Sequence, residues 1–140
     1  MSGSGYGNFN SAYPKLPKQE KELATHYEYS KPIGTLDDFR ETLRNKRIVV
    51  VKAWANWCQP CKVFGPKMED LGKQLEAYIK THHLCFLNED IDDEESIHRE
   101  KLEVVPTFFI YNKGKLEQVF TGVDFDAFQQ YLYQALQQES

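Results

Sequence analysis

The stretch Ile48 to Lys62, IVVVKAWANWCQPCK, decides how the rest of the chain is read. Ile48 to Trp54 is β-branched and apolar at nearly every position, the pattern of a central strand covered on both faces. Lys52 breaks that pattern. Cys58 and Cys61 follow, three positions apart, a spacing that puts both side chains on one face of a helix start with their α-carbons close enough to be bridged. Cys58 falls where free backbone N–H groups and the positive end of the helix dipole converge, so its thiol is expected to ionise below the range of a free cysteine. Cys61, one turn further in, is the weaker acid. Pro60 between them suits the first turn of a helix.

That asymmetry defines a reaction. Cys58 attacks a disulfide in another protein, and Cys61 then attacks Cys58, releasing the reduced substrate and closing an internal disulfide. A zinc reading of the pair needs two more ligands, and Cys85, His82 and His83 do not form the second paired motif of a ribbon or finger. An inert pair on a binding domain is the remaining alternative.

Outward from the cysteines, Phe64, Met68, Leu71, Leu75 and Tyr78 recur at helical intervals and predict one long helix, kinked at Gly65-Pro66. Upstream, Thr35 and Asp38 have capping-box spacing ahead of an apolar stripe of Leu36, Phe39 and Leu43. Tyr27-Glu28-Tyr29 alternates like a short strand. Leu84 to Leu87 reads as a buried strand, and the acidic run from Asn88 to Glu95 as the solvated start of a short helix ending near Leu102. Phe108 to Tyr111 is a strand that Asn112-Lys113-Gly114-Lys115 turns into a hairpin partner, Leu116 to Thr121. Asp124 is expected to cap a last helix lined by Phe125, Phe128, Leu132 and Leu136. The resulting order, β-α-β-α-β-α-β-β-α, predicts an α/β fold with a central mixed β-sheet flanked by helices on both faces.

The 140 residues fit one domain over 23–140, preceded by a flexible leader, 1–22, of small residues and prolines. A net charge of -4 lacks the basic footprint that nucleic acid requires, and no stretch has membrane-spanning length. Three cysteines, a close pair plus Cys85, point to reactive thiols in a reducing, cytoplasmic setting. Cys85 is expected to be a small buried hydrophobe, and His26, His82, His83 and His98 to be surface residues.

Trp54 to Lys62, with Pro66 five residues after Cys61, Val105-Pro106-Thr107, the Asn112-Lys113-Gly114 turn and Gly122, resembles the thioredoxin family over roughly Leu23 to Ser140. The resemblance implies the thioredoxin fold and a monomeric protein-disulfide reductase, with Cys58 as nucleophile and Cys61 as resolving thiol. No metal or organic cofactor is implied. The implied partners are disulfide-containing proteins and, as electron donor, a thioredoxin reductase-like enzyme or glutathione. Trp57, Val105, Pro106 (in the cis state) and Gly122 would form the shallow apolar surface that receives substrate, with Gln59 and Pro60 at its tip.

Two positions depart from the family pattern. Gln59 replaces the usual glycine at the tip of the motif. Lys52 replaces a buried acid behind the resolving cysteine. A charged Lys52 would favour the thiolates and make the disulfide more oxidising, as in an oxidase or isomerase; a neutral one could serve as a base; or the side chain could snorkel to water and touch no chemistry. A thioredoxin-fold interaction module with little catalysis is the reading from another class.

Overall fold

The computed structural model describes residues 27–138. The expected leader, residues 1–22, and His26 lie outside them. The elements are β1 (Ser30–Pro32), α1 (Leu36–Asn45), β2 (Ile48–Trp54), α2 (Gln59–Gln74), α3 (Glu76–Lys80), β3 (Leu84–Asp90), β4 (Thr107–Asn112), β5 (Lys115–Thr121) and α4 (Phe125–Gln137). Single 3-10 turns occupy Arg99–Lys101 and Gly122–Asp124.

The sheet runs in the order β1-β3-β2-β4-β5. β1, β3 and β2 are parallel, while β4 runs antiparallel to β2 and β5 to β4, so the expected mixed sheet is the observed one. β2 is its central strand, and the two-residue period of its side chains feeds two separate cores. Ile48 and Val50 pack with Phe86, Phe108 and Ile110 under α2 and α4, where Met68, Leu71, Phe128 and Leu132 close the layer. Val49, Val51 and Ala53 face the other way, with Leu87, Phe109, Tyr111 and Phe39 of α1. By the same alternation Lys52 points to the α2 side.

Thr35 and Asp38 form the expected capping box, each side chain taking the other's backbone N–H. Phe39 is the buried member of the α1 stripe; Leu36 is exposed.

Four expected local structures need correction. Tyr27-Glu28-Tyr29 is not a strand, because the N–H groups of Glu28, Tyr29 and Ser30 all donate to the Glu69 carboxylate instead of to a ladder. The long helix is two helices, broken at Leu75, whose ψ of 19 leaves the helical region. Asp124 precedes α4 but does not cap it; its carboxylate accepts the Thr121 hydroxyl. The acidic run does not start a helix. Asp90 and Asp93 bend the backbone by accepting the N–H groups of Asp92 and Glu95, a local alternative to helical bonding.

The largest departure lies in that same run. Glu89 is buried on β3 and accepts bonds from the Ser96 hydroxyl and from the backbone N–H groups of Ile97 and His98. Its other oxygen lies 2.7 Å from Nδ1 of His98, and Nε2 of His98 lies 2.8 Å from the Tyr111 hydroxyl. Expected at the surface, His98 is instead 0 % exposed, with its ring between Phe39 and Phe109. His82 and His83 are exposed, as expected. Cys85 is only half-buried, and burial pushes its thiol up, away from reactivity.

Candidate active site

Where β2 ends, the chain turns through Ala55, Asn56 and Trp57 and enters α2 with Cys58 at the N-cap. The cap residue keeps extended backbone angles, φ -90 and ψ 104, and its sulfur accepts the N–H of Cys61 at 3.1 Å. A free helix-terminal donor is thereby satisfied by sulfur where a capping oxygen usually sits. Cys58 and Cys61 form a disulfide with α-carbons 5.3 Å apart. Both are buried, packed with Ala55, Trp57, Ile91 and Val105. On reduction the same N–H and the helix dipole still face the Cys58 sulfur, and both favour its thiolate.

Two loops complete the surface beside the disulfide. The Val105–Pro106 peptide is cis, and the Val105 carbonyl oxygen lies 3.6 Å from the Cys58 sulfur. Gly122 donates its N–H to the Pro106 carbonyl at 3.0 Å. A Cβ on Gly122 would stand 2.9 Å from Pro106 Cγ and 3.1 Å from Phe64 Cε2, so glycine is what lets the two loops meet. Trp57 is half-buried, and its indole N–H donates to Asp92 at 3.0 Å. Gln59 and Pro60 are exposed at the tip. Sequence reasoning missed Val63, Val104 and Val123, which are 54%, 51% and 94% exposed and lie within two residues of Cys61, Val105 and Gly122 in the chain.

Lys52 does not snorkel. It is 5% exposed, and among the described residues no other lysine or arginine is buried. Desolvation lowers its pKa to about 8, opposed by the carboxylate of Glu69 on α2, which favours the charged form. A lysine whose folded pKa lies below its unfolded value is penalised while protonated: the full penalty holds below the folded pKa and fades as pH rises from about 8 towards the unfolded value. Its size is about 3 kcal/mol. Its register neighbours on the adjoining strands, Asn88 and Phe108, are uncharged. Its Nζ sits 5.7 Å from the centre of the Tyr27 ring. Neither Glu69 nor Tyr27 was expected near the site; the one sequence cue is the pair of glycines, Gly65 and Gly72, that flanks Glu69 on the helix.

Among the described residues no cluster of three or more histidine, cysteine or acidic side chains is arranged to hold a metal, and no helix is long and apolar enough to cross a membrane.

Residues 32–134 match the thioredoxin family model. Thioredoxin from Ictalurus punctatus is 34% identical over 95 residues, covering 66% of this chain and 85% of that protein. Thioredoxin from Gallus gallus is 31% identical over 97 residues, covering 67% of this chain and 87% of its own length. Among solved structures, Malassezia sympodialis thioredoxin superposes with a TM-score of 0.66 at 26% identity, covering 79% of this chain and 96% of that one. The matched span includes both cysteines and the cis-proline facing them, so the chain belongs to the thioredoxin family and is a thiol–disulfide oxidoreductase.

Proposed function

We propose that the protein works as a reductase of protein disulfides, with Cys58 as the attacking thiolate, Cys61 as the resolving thiol and Lys52 as the group that takes the Cys61 proton. The observation that carries this reading is the Cys58 sulfur at a helix N-cap, bonded to the Cys61 N–H. Cys58 thiolate attacks one sulfur of a substrate disulfide, forming a mixed disulfide and expelling the other sulfur as thiolate. The Cys61 thiol then gives its proton to neutral Lys52. Its thiolate attacks the Cys58 sulfur, the mixed disulfide breaks, and the second substrate sulfur leaves as thiolate. Two electrons pass from the dithiol to the substrate.

The exposed valines, Trp57 and the Pro106–Gly122 contact support an extended, apolar substrate segment lying across the sulfurs, with Gln59 and Pro60 at its edge. Electrons return from a thioredoxin reductase-like enzyme or from glutathione, in a cytoplasmic setting that the single half-buried third thiol suits. A lysine with pKa about 8 is matched to proton transfer near neutrality, because roughly a tenth of it is neutral at pH 7 and half at pH 8.

The test is reduction of a model protein disulfide by dithiothreitol, with and without the protein, across pH. Catalysis should rise through about pH 8 as Lys52 loses its proton. Lys52→Met should lose that rise and slow the resolving step by about 10²-fold. Lys52→Asp should move it down into the range of a buried carboxyl. Superimposable pH profiles for the three proteins would remove Lys52 from the reaction. The oxidising alternative has its own measurement: a charged Lys52 that stabilised the reduced thiols would set the Cys58–Cys61 potential well above that of glutathione, and would lower it in Lys52→Met.

A further inference from the structure

Residues 27–30 cross α2 on a path the helix is shaped to receive. Gly65, Glu69 and Gly72 stand four and three positions apart, one stripe of the helix, and Cys61 begins the same stripe four positions earlier. Each glycine takes a tyrosine. A Cβ on Gly65 would collide with the Tyr27 hydroxyl, and one on Gly72 would lie 2.6 Å from Tyr29 Cβ. Between them the Glu69 carboxylate accepts the N–H groups of Glu28 at 2.8 Å, of Tyr29 at 3.1 Å and of Ser30 at 3.1 Å. The Tyr29 hydroxyl donates to Glu76 at 2.8 Å. An alanine at either glycine would strengthen the bare helix, so these positions serve the crossing segment and not the helix.

The first described residue of that segment, Tyr27, lies by Lys52. The Tyr27 ring lies against the Lys52 ammonium, while its hydroxyl rests on the turn of α2 that follows Cys61. We propose that Tyr27 is a positioning residue for the thiol chemistry: docked on Gly65, it keeps water from Lys52 and so determines the pH at which that amine gives up its proton. Tyr27–Ser30 is then a cover, and lifting it returns Lys52 to solvent.

Among the described residues the groups at Lys52 are these, besides Cys61, whose proton it takes in the proposed reaction. Tyr27 comes from the cover and Glu69 from α2; the adjoining strands present Asn88 and Phe108, which do not titrate. The ring and the carboxylate both favour the ammonium, yet Lys52 is held well below an ordinary lysine, so desolvation wins over the two attractions. Tyr27 is itself pushed up, first by burial and then by Glu69, and stays a neutral phenol across the working range. The consequence for catalysis rests on Lys52 being the base for Cys61; the cover itself does not.

The experiment separates the two. Lys52 is titrated in the full chain by side-chain NMR, alongside the pH profile of disulfide reduction, for the parent, Tyr27→Ala, Tyr27→Phe and Gly65→Ala. Tyr27→Ala should move the Lys52 midpoint up from about 8 by about a unit or more, and Tyr27→Phe should leave it in place. Gly65→Ala, which strengthens the helix while evicting the tyrosine, should move it upward by a smaller amount. A Lys52 midpoint unchanged in both Tyr27→Ala and Gly65→Ala overturns the proposal. If the midpoint moves and the reduction profile does not follow, the cover stands and Lys52 is not the base.

Discussion

Cys61→Ser should stop after one event, leaving the protein joined to its substrate through Cys58. The geometry gives the reason. Cys58 keeps everything that makes it a nucleophile, because the N–H it accepts is the backbone amide of residue 61, which serine retains. Substrate attack therefore proceeds. What disappears is the second sulfur, whose α-carbon lies 5.3 Å from its partner's on a rigid helical turn. Well-oriented intramolecular groups act at effective concentrations of about 10⁵ M and more, which millimolar external thiol cannot replace. Turnover should fall by about 10³-fold or more, and intact-mass measurement without reductant should find a one-to-one adduct that dithiothreitol removes. Cys58→Ser should give no adduct and no turnover. A Cys61→Ser protein that keeps its rate in glutathione would mean that an external thiol resolves the intermediate. Normal partner binding by Cys58→Ser, with no disulfide reduction by the parent protein to lose, would leave only a binding module.

What the sequence disclosed, and what it concealed, follows from the range of the interactions. Ile48 to Trp54 announces a central strand because burial on both faces demands an unbroken apolar run, and that demand is local. Thr35 and Asp38 announce a helix start for the same reason. The cysteine spacing and the strand before it place the sulfurs at a helix end with no knowledge of the rest of the chain. Lys52 was visible as an anomaly, but its burial comes from partners on other elements. Glu69 is seventeen positions away, and the three N–H groups it gathers lie about forty residues upstream, so the pattern Tyr27-Glu28-Tyr29 could only be read as a strand. His98 sits in a stretch with no period at all. Surrounded in the chain by acids and bases, it carried every mark of a solvent residue, and only the folded sheet brings Glu89 and Tyr111 to its two nitrogens.

That buried histidine is where a single change outside the site should cost most. A carboxylate only accepts, so Nδ1 of His98 carries the hydrogen directed at Glu89, and Nε2 is left to the Tyr111 hydroxyl. His98→Leu leaves one oxygen of Glu89 without its donor and the Tyr111 hydroxyl without its partner, both away from water. Each orphan costs about 1–3 kcal/mol, more where a charge is involved, so the expected loss is about 3–5 kcal/mol out of a total of about 5–15. Thermal unfolding should shift down by about 10–15 °C. Tyr111→Phe added to His98→Leu should cost less than the two singles together, because it removes one of the orphans. The pH dependence has a fixed sign. Burial alone would push Glu89 up, but the His98 ring and the N–H groups of Ile97 and His98 outweigh it and hold the carboxyl below its ordinary value. A lowered carboxyl contributes stability that is fully present above the unfolded value and is lost as pH falls through the folded one. The gap between parent and Glu89→Gln should therefore be widest at neutral pH and shrink below about pH 4.5, and a gap of constant size would show that the charge of Glu89 contributes nothing. Function is tied to the same anchor. The stretch it pins, Ile91 to Ile97, carries the Asp92 carboxylate that holds the Trp57 indole beside Cys58. His98→Leu should accordingly raise the KM for protein disulfides while leaving the Lys52-dependent pH profile in place, since the two groups lie on opposite faces of the sheet.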